Sequence, residues 1–223
     1  MMSTVELPLG TIATIGLLSL LPFVLLATTS FVKMSVVLSA LRSALGFGAV
    51  PSAMVVTVLA GLLSVHVMAP VVERMVAAGA APAARIDFER PFATDGSAEA
   101  VRQLWQRASE PMRGFLSRHA HADELALFKD LAERAPAGPT VDQRDFRVLL
   151  PAFLISELGE AFQVAFLLLL PFVVIDVVIA SVLVAMQLHS LSPALVSLPL
   201  KVLLFVMVDG FAVLSEALIA SYS

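Results

Sequence analysis

The run from residue 161 to residue 186, AFQVAFLLLLPFVVIDVVIASVLVAM, most constrains what this chain can fold into, because it is 26 residues long and carries a single charge, Asp176. At a rise of about 1.5 Å per residue, a helix of this length exceeds the ~30 Å hydrocarbon core of a bilayer. A carboxylate in such a helix is costly unless it is neutralised or solvated. The run therefore predicts a membrane protein, and Asp176 marks a packed or water-lined interior.

Hydrophobic and charged residues are segregated along the chain. The hydrophobic blocks are residues 9–32, 50–72, 149–186 and 194–220, whereas 23 of the 32 charged residues fall between Glu73 and Arg147. This pattern predicts an all-α fold of membrane-associated helical hairpins with a small polar α-helical insertion. The predicted units are an N-terminal hydrophobic hairpin (1–72), the polar insertion (73–147) and a C-terminal hydrophobic hairpin (148–223).

The polar insertion has helical periodicity of its own. Ser97 is a candidate N-cap, and apolar residues from Val101 to Leu116 recur at spacings of three and four. A second helix is expected near Asp123, and the APAGPT segment (135–140) ends the pattern. These apolar stripes must pack on the insertion itself or on a neighbouring subunit.

The first two blocks give an expected orientation in the membrane. Residues 9–32 are too long for a typical signal-peptide core and lack a preceding basic region, so we expect a retained span. The short segment that follows carries Lys33 and Arg42, which favours a cytoplasmic position. The polar insertion is then periplasmic. The block 149–186 contains Pro171 and is either one kinked helix or two shorter helices.

Charged residues inside the hydrophobic blocks are the candidate structural residues. Asp176 and Lys201 are equally distant from the centre of the last hairpin, so antiparallel helices place them at the same depth. A structural ion pair is the favoured interpretation and a proton or ion relay the alternative. In this interpretation, loss of Lys201 alone is more damaging than loss of both, because it isolates a buried carboxylate.

Three further carboxylates belong to this group of intramembrane charges. Asp209 stands alone in the last block, so its partner is expected on another segment or chain. Glu157 and Glu160 are three residues apart and share a helix face. They lie at the edge of a block, where solvation costs little.

The sequence shows no enzyme motif. No catalytic residues, no metal ligands and no cofactor-binding residues are predicted, since nucleophile elbows, zinc-protease motifs and phosphate-binding loops are all missing. The HAHADE segment (119–124) is better explained as a solvated helix start than as a metal site. The nearly balanced charges of the insertion leave no basic patch for nucleic acid, so nucleic acid is not an expected partner.

Six ordered motifs resemble the FliP/SctR family, the export-gate membrane proteins of flagellar and virulence type III secretion. The sequence segments that carry the resemblance are SFVKMSVVLSALRSALG (30–46), MAPVVERM (68–75), RGFLSRHAHADELALF (113–128), LLPAFLISELGEAFQVAF (149–166), PFVVIDVVIASVLVAM (171–186) and SLPLKVLLFVMVDGF (197–211). The last three are the decisive ones.

The resemblance implies a structural role in protein transport. Members of the family assemble as a homopentamer with FliQ/SctS-like, FliR/SctT-like and FlhB/SctU-like subunits in the bacterial inner membrane. Their ring forms the pore through which unfolded secreted proteins enter the export pathway. In that assembly the apolar hairpins are bent and lie largely above the plane of the membrane. A topology in which each of the four hydrophobic blocks crosses the membrane then describes an unassembled or inserting form.

The resemblance also implies a pore constriction just after the 171–186 motif. Many members have consecutive methionines there, and methionine suits a closing ring because it is unbranched and can repack. This chain has Met186, Leu188 and Leu191 at that place, with an unexpected histidine, His189, between them. A histidine in a pore-lining turn could make closure depend on pH, although a solvent-facing turn residue is the simpler interpretation.

A second hypothesis is a secondary transporter for a small solute or ion, in which Asp176, Asp209 and Lys201 couple transport. Transporters of that class usually contain internal repeats with broken helices at corresponding positions. No repeat relates residues 9–72 to residues 149–220, because their charges fall in different places. The export-gate hypothesis is therefore preferred.

Overall fold

The computed structural model describes residues 22–46, 52–86, 95–134 and 141–223, together with Gly16 and Ser19. These ranges are helical and contain no strand, which confirms the all-α prediction. The helices are α1 (Pro22–Thr28), α2 (Phe31–Leu45), α3 (Ala53–Ala83), α4 (Asp95–His119), α5 (Ala122–Glu133), α6 (Phe146–Ala185), α7 (Pro193–Met207) and α8 (Gly210–Ala220).

Local sequence signals set several helix ends. The Ser52 side chain accepts a hydrogen bond from the Val55 amide at the start of α3, and Asp145 accepts one from the Arg147 amide at the start of α6. Each of these bonds satisfies an amide that has no partner within its helix. Helix α2 ends at Gly46, whose φ of 77° is the left-handed conformation that glycine adopts at little cost.

The first hydrophobic block is not one straight span. Helices α1 and α2 meet at an angle of 80° around Thr29 and Ser30, and residues 9–15 lie outside the described ranges. Lys33 therefore belongs to helix α2 and is buried, and it does not lie in a loop between two spans; the side of the membrane on which it lies stays a prediction. The Ser30 hydroxyl donates to Ser64 of α3 at 3.1 Å, and this buried bond holds the bend against the next helix.

Helix α6 is one continuous helix of 40 residues that contains Pro151 and Pro171. This finding resolves the choice between one long helix and two short ones. Helices α3 and α6 are each long and apolar enough to cross a membrane. The bent pairs α1–α2 and α7–α8 raise the number of candidate spans among the described residues to as many as four.

The last hydrophobic block is broken near its middle. Helices α7 and α8 differ in direction by 60°, and Asp209 between them has a left-handed backbone with φ of 49°. Residues 194–220 are therefore two helices and not one continuous helix, and the bent pair is a candidate for a single broken span. Gly210 follows directly, and a methyl group at that position would clash with the ring of Phe205.

Two hydrophobic clusters hold the helices together, and α6 contributes to both. One joins α2 and α3 to α6, α7 and α8 around Met34, Leu41 and Phe172. The other joins α3, α4 and α5 to the first part of α6 around Phe115 and Phe153. The polar insertion thus packs its apolar stripes on the hydrophobic helices of its own chain.

The insertion follows its predicted secondary structure closely. The two expected helices are present as α4 and α5, although α4 begins at Asp95, so Ser97 lies within the helix and is not its cap. Residues 135–140 lie outside the described part. Helix α3 continues past residue 72 to Ala83, and the three predicted units share one cluster, so that division remains a prediction.

Candidate functional site

A buried cation on α2 contacts two carboxylates on α6. The Lys33 Nζ lies 2.7 Å from the Glu160 Oε2 and 3.3 Å from the Glu157 Oε1. The side chains of Lys33 and Glu157 are 2% and 1% exposed, whereas that of Glu160 is 33% exposed. Glu157 is therefore not at a solvated edge, contrary to the prediction, because α2 and the polar insertion cover the first part of α6.

The C-terminus closes this site from another side. Tyr222 donates its hydroxyl hydrogen to the Glu157 Oε2, and the Lys33 ammonium lies 4.3 Å from the centre of the Tyr222 ring. The same ring stacks on Phe115 of α4. Burial, reinforced by the charge of Glu157, raises the pKa of the Tyr222 phenol above its usual value. The tyrosine thus remains a donor.

The polar insertion provides the remaining contacts. The His121 Nε2 lies 2.7 Å from the Glu160 Oε1, and the His121 amide donates to the Ser156 hydroxyl of α6 at 2.8 Å. The ring centre of His119 lies 5.0 Å from that of Tyr222. Burial and, next, the charge of Lys33 lower the pKa of His119.

We call the five residues Lys33, His121, Glu157, Glu160 and Tyr222 the buried charge cluster. They come from α2, the start of α5, α6 and the C-terminal end of the chain. A buried lysine is favourable only when its charge is paired and hydrogen-bonded. The cluster therefore fixes how these elements sit relative to one another.

A second charged contact joins the last two long helices. The Lys201 Nζ lies 2.7 Å from the Asp176 Oδ2, as the symmetry of the hairpin predicts. Ser197 also donates to Asp176, and Lys201 donates to the Ala44 carbonyl at the end of α2, 3.2 Å away. The Lys201 side chain is 8% exposed and that of Asp176 is 41% exposed. We call Asp176 and Lys201 the hairpin pair.

The buried charge cluster and the hairpin pair contact α2 near its two ends, where it packs against α6. Glu160 and Asp176 are sixteen residues apart on one helix, which corresponds to roughly 24 Å along its axis. Lys33, near the start of α2, donates to Glu160. At the end of α2, the Ala44 carbonyl accepts a hydrogen bond from Lys201, the partner of Asp176. Slippage of α2 along α6 would break both contacts, so they fix its register.

Three apolar side chains at the tip of the α6–α7 hairpin are exposed on the surface of the described chain. Helix α6 ends at Ala185 with Met186 as its C-cap, and the Leu188 amide donates to the Leu183 carbonyl at 2.9 Å after a left-handed Gln187. Met186, Leu188 and Leu191 are 62%, 37% and 48% exposed. Each of the three is thus partly uncovered by the described chain and offers apolar surface for contact with another molecule.

The remaining predicted positions have simpler surroundings. Asp209 makes no ion pair with another described residue, and its backbone marks the break between α7 and α8. Helix α5 begins at Ala122, within the HAHADE segment, as expected of a helix start. His121, just before it, contacts Glu160 and Glu124. Among the described residues, no group of three or more metal-ligating side chains could hold a metal ion.

Two residues of the buried charge cluster, Lys33 and Tyr222, escaped prediction. Lys33 is the one charged residue of its hydrophobic surroundings, and 127 positions separate it from Glu160. The signal available in the sequence was a single lysine beside one hydrophobic block and a pair of glutamates in another. In the expected topology these positions lie at a similar depth in the membrane, so they could have been paired. Nothing in the sequence around Tyr222 points to Glu157.

These features define a class: an all-α, multi-span membrane protein whose charges fix helix packing and whose apolar surface is largely uncovered by its own chain. The FliP family profile matches residues 14–218. The chain is 40% identical over 205 residues to the flagellar biosynthetic protein FliP of Caulobacter vibrioides, covering 92% of this chain and 73% of that protein.

Virulence-associated relatives match equally well. The chain is 39% identical over 223 residues to the Yop proteins translocation protein R of Yersinia pestis, covering 98% of this chain and 99% of the relative. It is also 41% identical over 210 residues to the pathogenicity-related ORF2 of Xanthomonas campestris pv. glycines, covering 92% and 93%. The chain belongs to the FliP family and is an inner-membrane component of a type III secretion export apparatus.

Proposed function

We propose that this chain is the core subunit of a type III secretion export gate and that five copies of it surround the pore through which unfolded proteins enter. In this proposal the ring binds FliQ/SctS-like, FliR/SctT-like and FlhB/SctU-like subunits. The chain performs no catalysis. Its task is to line, close and open a path whose selectivity comes from width and from a closing ring.

The observation that carries the proposal is the apolar tip of the α6–α7 hairpin. Met186, Leu188 and Leu191 are exposed at the turn of a hairpin whose two helices the hairpin pair joins, about 15 Å further along them at ~1.5 Å per residue. Apolar side chains repeated around a ring form a constriction that excludes water and ions when closed. Methionine and leucine can also repack around a passing polypeptide, because they have flexible, unbranched or weakly branched side chains.

The uncovered surface of α6 supports assembly into a larger complex. Phe162, Phe166 and Leu167 are each more than half exposed on this helix. Apolar surface of this extent needs lipid or neighbouring subunits to cover it. The buried charge cluster supports the same conclusion, because intramembrane charges indicate helices held within protein.

The polar insertion lies on the periplasmic side in this proposal. Lys33 no longer supports that orientation, since it is buried beside the insertion. Arg42 still supports it, because it lies in the last turn of α2, at the end away from the insertion.

Disulfide crosslinking tests the ring directly, because the chain contains no cysteine. A Met186→Cys/Leu191→Cys variant gives each chain two thiols, so that each copy can bond to both of its neighbours, and it should give a ladder of crosslinked species from dimer to pentamer when the export subunits are produced together. Leu127→Cys/Leu131→Cys, on an exposed face of α5, is the matched control and should give no such ladder. A ladder ending at the dimer would contradict the ring and favour a transporter that uses Asp176, Asp209 and Lys201.

Ion leakage tests the role of the tip. Replacement of Met186, Leu188 and Leu191 together by serine should raise membrane conductance, because a polar ring stays hydrated. The control replaces Val58, Leu62 and Val65, which are exposed apolar residues of α3, by serine. Equal conductance in the two variants would place the closing ring elsewhere.

A further inference from the structure

A carboxylate without a partner among the described residues lies at the break in the last hydrophobic block. Asp209 separates α7 from α8, and its side chain makes neither a hydrogen bond nor an ion pair with the described part of the chain. The two helices form one candidate broken span, bent by 60° at this point. Within a membrane, a carboxylate is costly unless a cation or water neutralises or solvates it. The charge of Asp209 therefore needs a partner from outside the described chain.

The backbone at Asp209 explains why its carboxylate is not used within α8. The residue occupies the N-cap position, where an aspartate usually has an extended backbone and accepts a hydrogen bond from an amide of the first turn. Here φ and ψ are both 49°, which is the left-handed conformation, and no capping bond forms. Aspartate and asparagine are enriched among the non-glycine residues that adopt it. The exposed carboxylate of Asp209 is thus available to another molecule.

The surface around this carboxylate is apolar on both sides of the break. The flanking large apolar residues are each at least 45% exposed, namely Val206, Met207, Val208, Phe211 and Val213. We call these five residues together with Asp209 the Asp209 patch. Lipid chains can cover the apolar side chains, but they offer no partner to the charge. An apolar protein surface that carries one cation satisfies both.

A second copy of this chain is poorly suited to supply that cation. Lys33 and Lys201 are buried and are already bound by carboxylates of their own chain. Arg42 is half-buried where α2, α3 and α8 meet. The arginines of α3 and α6, Arg74 and Arg147, belong to the predicted polar insertion. A different membrane subunit is therefore the better source of the cation.

We propose that the Asp209 patch binds an apolar helix of a different membrane subunit of the export apparatus, and that a lysine or arginine of this helix pairs with Asp209. The surrounding apolar residues shield the pair, so that removal of either charge is costly. The flexible side chain of Met207 can adapt to the partner helix. The inference rests on the part of the proposed function in which other membrane subunits bind this chain. It requires neither the pore nor five copies.

The variant Asp209→Asn tests the pair, because it removes the charge, keeps the size of the side chain and suits a left-handed backbone. The full chain is purified with co-produced membrane subunits of the apparatus, and native mass spectrometry over a dilution series gives an apparent Kd for each. Asp209→Asn should weaken the binding of one subunit by about thirtyfold or more, as expected when one member of a buried charge pair is removed.

Two controls accompany this measurement. The thermal unfolding midpoint of the chain alone should be the same in Asp209→Asn as in the wild type, since no described residue contacts this carboxylate. Asp123→Asn makes the same substitution at an exposed position of α5 and should leave the apparent Kd unchanged.

Exchange of the charges identifies the residue that pairs with Asp209. Asp209→Lys should abolish binding, because it brings two cations together. Glutamate in place of each intramembrane lysine or arginine of the bound subunit, taken in turn, should restore binding to Asp209→Lys at one position. Should Asp209→Lys fail to fold, Asp209→Asn combined with methionine at the partner's position should bind no more weakly than either single variant. Additive losses would overturn the pair.

The remaining outcomes separate this inference from the proposed assembly. Unchanged binding of every subunit by Asp209→Asn would overturn the inference alone and assign the patch to lipid. A lowered unfolding midpoint of the isolated variant would also overturn it, because the carboxylate would then have a partner in its own chain. Loss of self-association without loss of another subunit would assign the patch to contacts between copies. A wild-type chain that binds no other membrane subunit would overturn both the inference and that part of the proposed function.

Discussion

Tyr222 donates a hydrogen bond to Glu157, although 65 positions separate the two residues and one of them is the penultimate residue of the chain. This bond attaches the C-terminal end to the middle of the protein. Lys33 completes the arrangement, since its ammonium contacts the carboxylate of Glu157 and the face of the tyrosine ring. Four predictions follow from these and the other contacts, each tested on the full chain.

Removal of the buried cation should destabilise the fold strongly. Lys33→Met leaves the buried Glu157 without its counter-ion, which typically costs about 3–5 kcal/mol in the free energy of unfolding. The double variant Lys33→Met/Glu157→Leu should recover most of this loss, because no uncompensated charge remains. Thermal unfolding in detergent measures both. Lys129→Met, which removes an exposed pair with Glu133, is the control and should change stability by less than about 1 kcal/mol.

Equal losses in the single and double variants would show that Lys33 acts through its apolar stem and not through its charge.

The ionisation of Tyr222 should be suppressed in the native protein. Since burial raises the pKa of this phenol, the folded state keeps its proton where an ordinary tyrosine loses it, near pH 10. The unfolded chain then binds fewer protons than the native chain, so the free energy of unfolding falls as the pH rises above about 10. Phenolate absorbance reports this residue alone, because the chain contains a single tyrosine.

The absorbance of the native chain should stay low above pH 10 and rise on addition of denaturant. Tyr222→Phe should cost about 1–3 kcal/mol, because Glu157 loses a donor, and should abolish the alkaline decrease in stability. A native phenolate signal with an ordinary midpoint would contradict the burial of the ring.

The two members of the hairpin pair should respond unequally to substitution. Lys201 is the buried member and Asp176 the partly exposed one, so Asp176→Ala isolates a buried ammonium, whereas Lys201→Met leaves a carboxylate that still accepts a hydrogen bond from Ser197. Asp176→Ala should therefore reduce the yield of folded protein more than Lys201→Met. The sequence predicted only that loss of Lys201 alone is more damaging than loss of both residues, so this order between the two single variants comes from the structure.

The double variant Asp176→Ala/Lys201→Met should fold better than Asp176→Ala alone. A greater defect in Lys201→Met than in Asp176→Ala would contradict the assignment of Lys201 as the buried member of the pair.

The break between α7 and α8 should be intolerant of a larger residue at Gly210. A methyl group there meets the ring of Phe205, and overpacking of this kind costs about 1–3 kcal/mol. Phe205→Leu should partly rescue Gly210→Ala, because it removes the edge of the ring. Thermal unfolding measures the stability of Gly210→Ala with and without Phe205→Leu. The control is Gly61→Ala, which should be neutral or slightly stabilising because open space surrounds that position. If Phe205→Leu did not rescue Gly210→Ala, the loss of stability would come from the backbone at position 210 and not from contact with the ring of Phe205.

The sequence predicted what depends on local pattern and symmetry. Hydrophobic blocks predicted α3 and α6, and the apolar stripe from Val101 to Leu116 predicted α4. The contact between Asp176 and Lys201 followed from the hairpin alone, since its two helices are adjacent in sequence. Such features need no knowledge of distant packing.

Features set by distant packing escaped prediction. The 80° bend at Thr29 and Ser30 has neither glycine nor proline at its centre, and a hydrogen bond to Ser64 holds it. The burial of Glu157 depends on Lys33 and Tyr222, which come from opposite ends of the chain. The Asp-Gly pair at 209–210 is a typical turn signal, but the surrounding hydrophobic run favoured a continuous helix.

The continuity of α6 has a mechanical consequence. Glu157 lies on α6 and Met186 caps the end of this uninterrupted helix, about 43 Å away at ~1.5 Å per residue. A tilt of about 5° pivoting at Glu157 would displace Met186 by about 4 Å at this rise per residue. A small rearrangement beneath the polar insertion would therefore be amplified along this helix into a displacement about the width of a side chain at the hairpin tip.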